Sequence, residues 1–245
     1  METILEIRNL SHCYHTTEGE TPALSHLSLH MQEGEFISIV GPSGCGKSTL
    51  LSLICGLIKP EEGEISLHGK HIGYMLQKDH LLEWRSVYKN IILGLEIQNR
   101  ITAETKTKVQ DYLSQYGLAE FADAKPSELS GGMRQRAALI RTLMLEPDLL
   151  LLDEPFSALD YQTRLAVSDD IGQIIRKEKR SAILVTHDLS EAISLGDRVI
   201  VLSKRPATIQ TIIPLKFDLE NDTPLARRNA PEFKTYFNQL WKELN

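Results

Sequence analysis

The run Gly41-Pro42-Ser43-Gly44-Cys45-Gly46-Lys47-Ser48 fits G-x-x-x-x-G-K-[ST], and nothing else in the chain restricts its possible folds as much. A loop of this kind works only between a strand and a helix. Glu35 to Val40 is a short β-rich run entering the glycines, and Ser48 to Leu57 continues as a helix. The glycines let the backbone turn tightly and aim N–H groups at a phosphate, while the following helix adds the positive end of its dipole. Lys47 brings a point charge to β- and γ-phosphates, the Ser48 hydroxyl suits Mg²⁺, and Thr49 is expected at the α-phosphate. Positions 41 to 49 are therefore candidate nucleotide-binding residues: Gly41, Pro42, Ser43, Gly44, Cys45, Gly46, Lys47, Ser48 and Thr49. The Cys45 thiol, near Lys47 and a helix start, is expected to be thiolate-prone and reactive.

A second acidic element lies downstream. Leu149-Leu150-Leu151-Leu152 is a buried-type strand ending in Asp153-Glu154. Side chains alternate along a strand, so the two carboxylates cannot do the same job. Ala182 to Thr186 and Arg198 to Leu202 are further β-type runs, and a helix from Thr163 to Lys177 separates the first two, which predicts a mostly parallel sheet. Thr3 to Ile7 and Ser25 to Met31 alternate as half-buried strands, and Gly63 to Leu67 returns to strand character. Val87 to Leu145 reads as helix, with one helix starting at Ser130 and stopping at Glu146-Pro147. This is an insertion in an α/β core. After a polar link from Asp218 to Ala230, residues Phe233, Tyr236, Phe237, Leu240, Trp241 and Leu244 form an apolar stripe. It predicts a helix docked on the core, with a regulatory or partner helix as the other reading.

Composition narrows the partners. The longest apolar runs in these 245 residues fall far short of the ~20 that a membrane helix needs, and no export core is visible at the N-terminus. Net charge is −6 with both signs interspersed, which argues against nucleic acid and against direct adhesion to anionic lipid. Any membrane role must come through a protein partner. Three cysteines without paired spacing make a disulfide framework or a zinc site improbable and fit a reducing, cytoplasmic setting.

Leu129-Ser130-Gly131-Gly132-Met133 stands about twenty residues before the acidic pair. With the phosphate loop and the acidic strand end, it makes the chain resemble the ATP-binding subunit of an ATP-binding-cassette (ABC) transporter, from about Leu5 to Pro206. The resemblance implies an α/β fold. Its parts are a P-loop NTPase (RecA-like) core with a mostly parallel sheet, an antiparallel β subdomain and an inserted helical subdomain at about 78–147. One ABC ATPase domain would span 1–215, with a C-terminal linker and helix at 216–245. ATP and Mg²⁺ are the implied ligands. The resemblance assigns Asp153, Ser48 and Gln77 to the magnesium shell, Glu154 to polarising the attacking water as general base, and His187 to the γ-phosphate. Gln77 would contact both metal and water. Tyr14, 27 residues before Gly41, matches an aromatic that stacks on adenine. Ser130, Gly131 and Gly132 at a helix N-terminus would close on the γ-phosphate held by an opposite subunit, and Asp160 matches the loop that crosses between subunits. A catalytic homodimer follows from that.

Leu81-Leu82-Glu83-Trp84-Arg85-Ser86-Val87-Tyr88-Lys89-Asn90 resembles a segment of importer ATPases for nitrate, alkanesulfonate and taurine, although Glu83 stands where that pattern has proline. The implied partners are integral membrane permease subunits and, indirectly, an extracytoplasmic solute-binding protein. The implied location is the cytoplasmic face of the membrane. Trp84 fits a permease-docking surface or, equally, buried lobe packing. The rival functional readings are a soluble non-transport ABC ATPase and an exporter ATPase.

Overall fold

The computed structural model describes residues 2–17 and 19–244. Two long strands, β1 (Thr3–Thr16) and β2 (Gly19–Gln32), pair as an antiparallel hairpin. With β4 (Glu62–Ser66) they form a three-stranded sheet in the order β2-β1-β4. The hairpin runs well past the two short alternating segments of the sequence because residues 13–16 and 19–22 pair at its largely exposed end, where no apolar alternation marks them. Between hairpin and β4 lie β3 (Phe36–Val40) and α1 (Lys47–Ile54), the strand and helix that flank the glycine loop.

A six-stranded sheet in the order β5-β6-β7-β3-β8-β9 forms the core, from β3, β5 (Ile72–Met75), β6 (Leu149–Asp153), β7 (Ser181–Val185), β8 (Arg198–Leu202) and β9 (Ile209–Pro214). All pairings are parallel except that of β9 with β8. Every residue of β3, β6 and β7 is buried, as expected for parallel strands covered on both faces and hence mostly apolar, with Ser38, Ser181 and Asp153 the polar members. β5 and β9 escape a reading by pattern, since one has four residues and the other mixes threonine and glutamine into its apolar positions.

Helices α2 (Val87–Ile91), α3 (Leu93–Ile97), α4 (Ala103–Gln115) and α5 (Gly131–Leu143) lie between β5 and β6 in the chain. Capping sets their starts: Thr102 and Thr105 make a reciprocal capping box at α4, and the Ser130 hydroxyl accepts from the Met133 N–H at α5. α6 (Tyr161–Lys177) and α7 (Leu189–Leu195) are capped by the carboxylates of Asp160 and Asp188. The segment 218–230 is more than a polar link. It holds α8 (Pro224–Asn229), and the guanidinium of the buried Arg227 binds the Asp222 carboxylate and the Gly196 carbonyl. The expected terminal helix is α9 (Pro231–Leu244). Its Leu240 is fully buried in a cluster with Val40, Leu189, Ile193, Val199, Val201 and Ile213, and Phe233, Tyr236, Phe237 and Leu244 pack partly against it, so the stripe docks on the core except at Trp241, which stays exposed.

Glu191 on α7 is the buried carboxyl with the strongest bearing on pH. It accepts the Thr186 hydroxyl at 2.6 Å, and burial nevertheless pushes its pKa from 4.5 up to about 7. The folded state therefore holds this proton more tightly than the unfolded chain does, and stability falls as pH rises from about 4.5 to about 7. Relative to Glu191→Gln, wild type should lose on the order of 3 kcal/mol of unfolding free energy between about pH 5 and pH 8 in urea titrations. Parallel profiles for the two proteins would contradict this assignment.

Candidate functional site

Register decides which side chains meet. Ile39 of β3 and Asp153 of β6 both pair with Val185 of β7, and Met75 of β5 pairs with Leu152. The parallel strands therefore end at one level, and the segments leaving them, which carry Gly41, Gln77, Glu154 and His187, start side by side. Carboxyl ends of strands are where open α/β sheets bind ligands.

The loop after β3 has φ of 72° at Gly44 and 124° at Gly46, left-handed values that a side chain would oppose. The Lys47 ammonium, largely buried, donates to the Gly41 carbonyl at 2.8 Å and the Pro42 carbonyl at 3.0 Å. Cys45 corrects an expectation. Its side chain is only 1% exposed and packs in the apolar cluster with Leu50, Leu51 and Leu202, and its N–H closes a turn on the Pro42 carbonyl. A thiol so enclosed is not poised to react, because contact with an electrophile requires the loop to open.

Ser48 donates its hydroxyl to Asp153 Oδ1 at 3.1 Å, and the Tyr74 hydroxyl donates to Asp153 Oδ2 at 3.3 Å. Burial raises the Asp153 pKa, against the pull of those two hydrogen bonds and Lys47. A hydroxyl and a carboxylate converging on one point are hard oxygen donors and fit Mg²⁺. Glu154, one residue on, has φ of 45°, and its N–H donates to the Val185 carbonyl. A non-glycine residue held there costs about 1–3 kcal/mol, a strain typical of functional positions. The turn aims its carboxylate at two partners. Gln77 Nε2 donates to Glu154 Oε2 at 3.3 Å, and His187 Nδ1 lies 3.2 Å from the same oxygen.

A cavity of about 450 Å³ is lined by Ser43, Gly44, Gly46, Lys47, Ser48, Thr49, Glu154, His187 and Arg205. Arg205 escaped sequence reasoning. It follows β8, neighbour of β3 in the sheet, and donates to the Gly44 carbonyl at 2.6 Å, so only the strand order links it to the loop. Tyr14 reaches the rim from the hairpin, its hydroxyl 3.1 Å from that of Thr49 and its ring partly exposed.

Ser130, Gly131, Gly132 and Asp160 do not line this cavity. A Cβ on Gly132 would sit 3.0 Å from Thr163 Cγ2 and Val167 Cγ2 of α6, and one on Gly131 3.0 Å from Leu159 Cδ2 in the turn before α6, so packing already favours glycine at both positions. Asp160 caps α6 through the Thr163 N–H, and that hydrogen bonding lowers its pKa. Between the two regions, Arg134 of α5 binds Asp79 at 2.9 Å and Glu83 at 3.0 Å. Glu83, which replaces the expected proline, thus gains an ion pair. Trp84 points outward, 73% exposed, which contradicts the reading of buried lobe packing, and Leu81 takes the buried place.

Comparison with known proteins agrees with this geometry. The ABC transporter family model matches residues 24–157. An ABC transporter ATP-binding protein of Bacillus subtilis, YtlC, is 43% identical, with 99% of this chain and 96% of that protein aligned. The nitrate import ATP-binding protein NrtD of a Synechocystis species is 38% identical over 96% of this chain and 93% of its own length. The aliphatic sulfonates import ATP-binding protein SsuB of Bacillus licheniformis is 38% identical over 91% and 88% respectively. The dimeric, post-hydrolysis structure of the ATP-binding cassette MJ0796 with ADP and Pi superposes with a TM-score of 0.76, at 31% identity over 87% of this chain and all of that one. With a phosphate loop, a buried strand-end aspartate and a strained glutamate on one sheet edge, the chain belongs to the ABC transporter family, as an ATP-binding cassette that hydrolyses ATP.

Proposed function

We propose that the chain powers an importer for a small solute of the nitrate and sulfonate class, working as a homodimer of cassettes under permease subunits at the cytoplasmic face of a membrane. The relatives named for nitrate and sulfonate import support the solute class, and the dimeric cassette structure supports the assembly. A solute-binding protein would act on this subunit only through the permease. The segment 78–147 would form the helical lobe of a single domain spanning 1–215.

The convergence of Gln77 and His187 on one oxygen of Glu154, beside the paired Ser48 and Asp153, carries this reading. In it, residues 41–49 cradle the phosphates of ATP and Tyr14 stacks on the adenine. Lys47 exchanges its loop carbonyls for phosphate oxygens. Ser48 and Asp153, with Gln77, would hold Mg²⁺, which when bound neutralises charge on the phosphate oxygens. Glu154 accepts a proton from the attacking water, Gln77 orients that water, and His187 faces the γ-phosphate. Arg205 adds a second cation at the loop. Ser130, Gly131, Gly132 and Asp160 serve the nucleotide of the partner subunit, which explains why they stand away from their own cavity. Trp84 is the aromatic anchor of the permease contact, since it is exposed in a segment tied to Gln77 through Asp79, Arg134 and Glu83.

Glu154→Gln should keep ATP affinity but cut turnover by about 100-fold or more, because proton acceptance is lost while the phosphate cradle stays intact. It should run as an ATP-bound dimer in size-exclusion chromatography. Monomer only, or near-normal turnover, would refute the general-base role. Trp84→Ala, purified alone, should melt within a few degrees of wild type and hydrolyse ATP normally, because an exposed ring contributes little to the fold. In the reconstituted transporter it should lose transport. A large fall in the melting temperature of the isolated subunit would instead make Trp84 a structural residue.

A further inference from the structure

The hairpin that carries Tyr14 has an opposite face with a different chemistry. Cys13 and His15 are two apart on β1 and flank Tyr14, so both side chains leave the strand away from the tyrosine. Cross-strand pairing sets Glu20 of β2 directly against His15. The Cys13 thiol, a ring nitrogen of His15 and a carboxylate oxygen of Glu20 all lie within 4.8 Å of one another. His15 Nδ1 is 3.3 Å from Glu20, and its Nε2 is 2.8 Å from Glu61, just ahead of β4.

A surface histidine between two glutamates would by itself be an ordinary, solvent-screened ion pair of little consequence for the fold. The thiol in the same cluster changes its meaning. Thiolate, imidazole and carboxylate together are the donor set of Zn²⁺ and its neighbours, and they disfavour Mg²⁺, which takes oxygen ligands. The two ring nitrogens are already divided between roles. The Glu61 carboxylate can accept a hydrogen bond from Nε2–H, fixing the tautomer that leaves the Nδ1 lone pair toward Glu20, as a carboxylate behind a metal-bound histidine does. We propose that Cys13, His15 and Glu20 bind one divalent cation of the Zn²⁺ class, with Glu61 orienting His15. On binding, the thiol gives its proton to solvent and the sulfur–metal bond forms. Three protein ligands leave a fourth tetrahedral position for water. Counting cysteines discounts zinc because the third ligand arrives from the neighbouring strand and not from a second cysteine.

The test is a titration of the full, tag-free chain with Co²⁺, without nucleotide and with excess Mg²⁺ to occupy oxygen-donor sites. One equivalent of Co²⁺ should produce a thiolate-to-metal charge-transfer band, and Zn²⁺ should displace it with micromolar or tighter affinity. Cys13→Ser should abolish the band, His15→Ala should weaken Zn²⁺ binding at least about tenfold, and Glu61→Gln should weaken it less. A band that persists in Cys13→Ser, or Zn²⁺ affinity unchanged in both Cys13→Ser and His15→Ala, would overturn the proposal, as would millimolar Zn²⁺ affinity in wild type.

Discussion

The parallel pairing of β7 with both β3 and β6 is the constraint on which the site rests. Val185 is the common partner of Ile39 and Asp153, so the phosphate loop and the acidic strand end are set level by main-chain hydrogen bonds alone. A register slip of one residue would turn every side chain of a strand to its other face, and the continuous burial of these strands penalises it strongly. The hydrogen bond from Ser48 to Asp153 joins residues 105 apart in sequence and exists only because of that register.

Strain and polarity are then concentrated at one place. Glu154 takes a left-handed backbone that the Val185 carbonyl helps to hold, and its carboxylate gathers an amide and an imidazole from two other strand ends. Gln77 reaches it from the segment that continues into Asp79 and Glu83. Arg134 grips both of those carboxylates from α5, one turn beyond the Ser130 cap. A displacement of α5 thus has a charged, geometrically defined route to the residue beside Glu154, and the exposed Trp84 sits on the same route. This is the physical basis on which contact with another subunit would bias hydrolysis in the proposed importer.

How much of this the sequence disclosed depends on whether a feature is local. The glycine loop, the four leucines before Asp153 and the Ser130 cap were legible because short patterns encode them, and the structure places each in a strand, turn or helix N-terminus as expected. β5 and α7 were missed because four to seven residues give too little periodicity to read. Arg205, Tyr74 and Arg134 were missed for another reason. Their importance comes from strand order and helix packing, which no spacing along the chain records. Cys45 was misread because proximity to Lys47 in sequence says nothing of which way a thiol faces, and here it faces the core. Glu83 seemed only a departure from a pattern until Arg134 appeared as its partner.

The separation of Ser130, Gly131 and Gly132 from the cavity of their own subunit makes the composite, two-subunit site the central claim. Ser130→Arg and Lys47→Ala should each be inactive as purified homodimers. In a mixed dimer, one composite site carries both substitutions and the other carries neither. A composite site therefore predicts that mixing the two inactive proteins, under conditions where wild-type subunits exchange, restores part of the ATPase activity. Recovery of none would show that each cassette completes its own site and would contradict the arrangement.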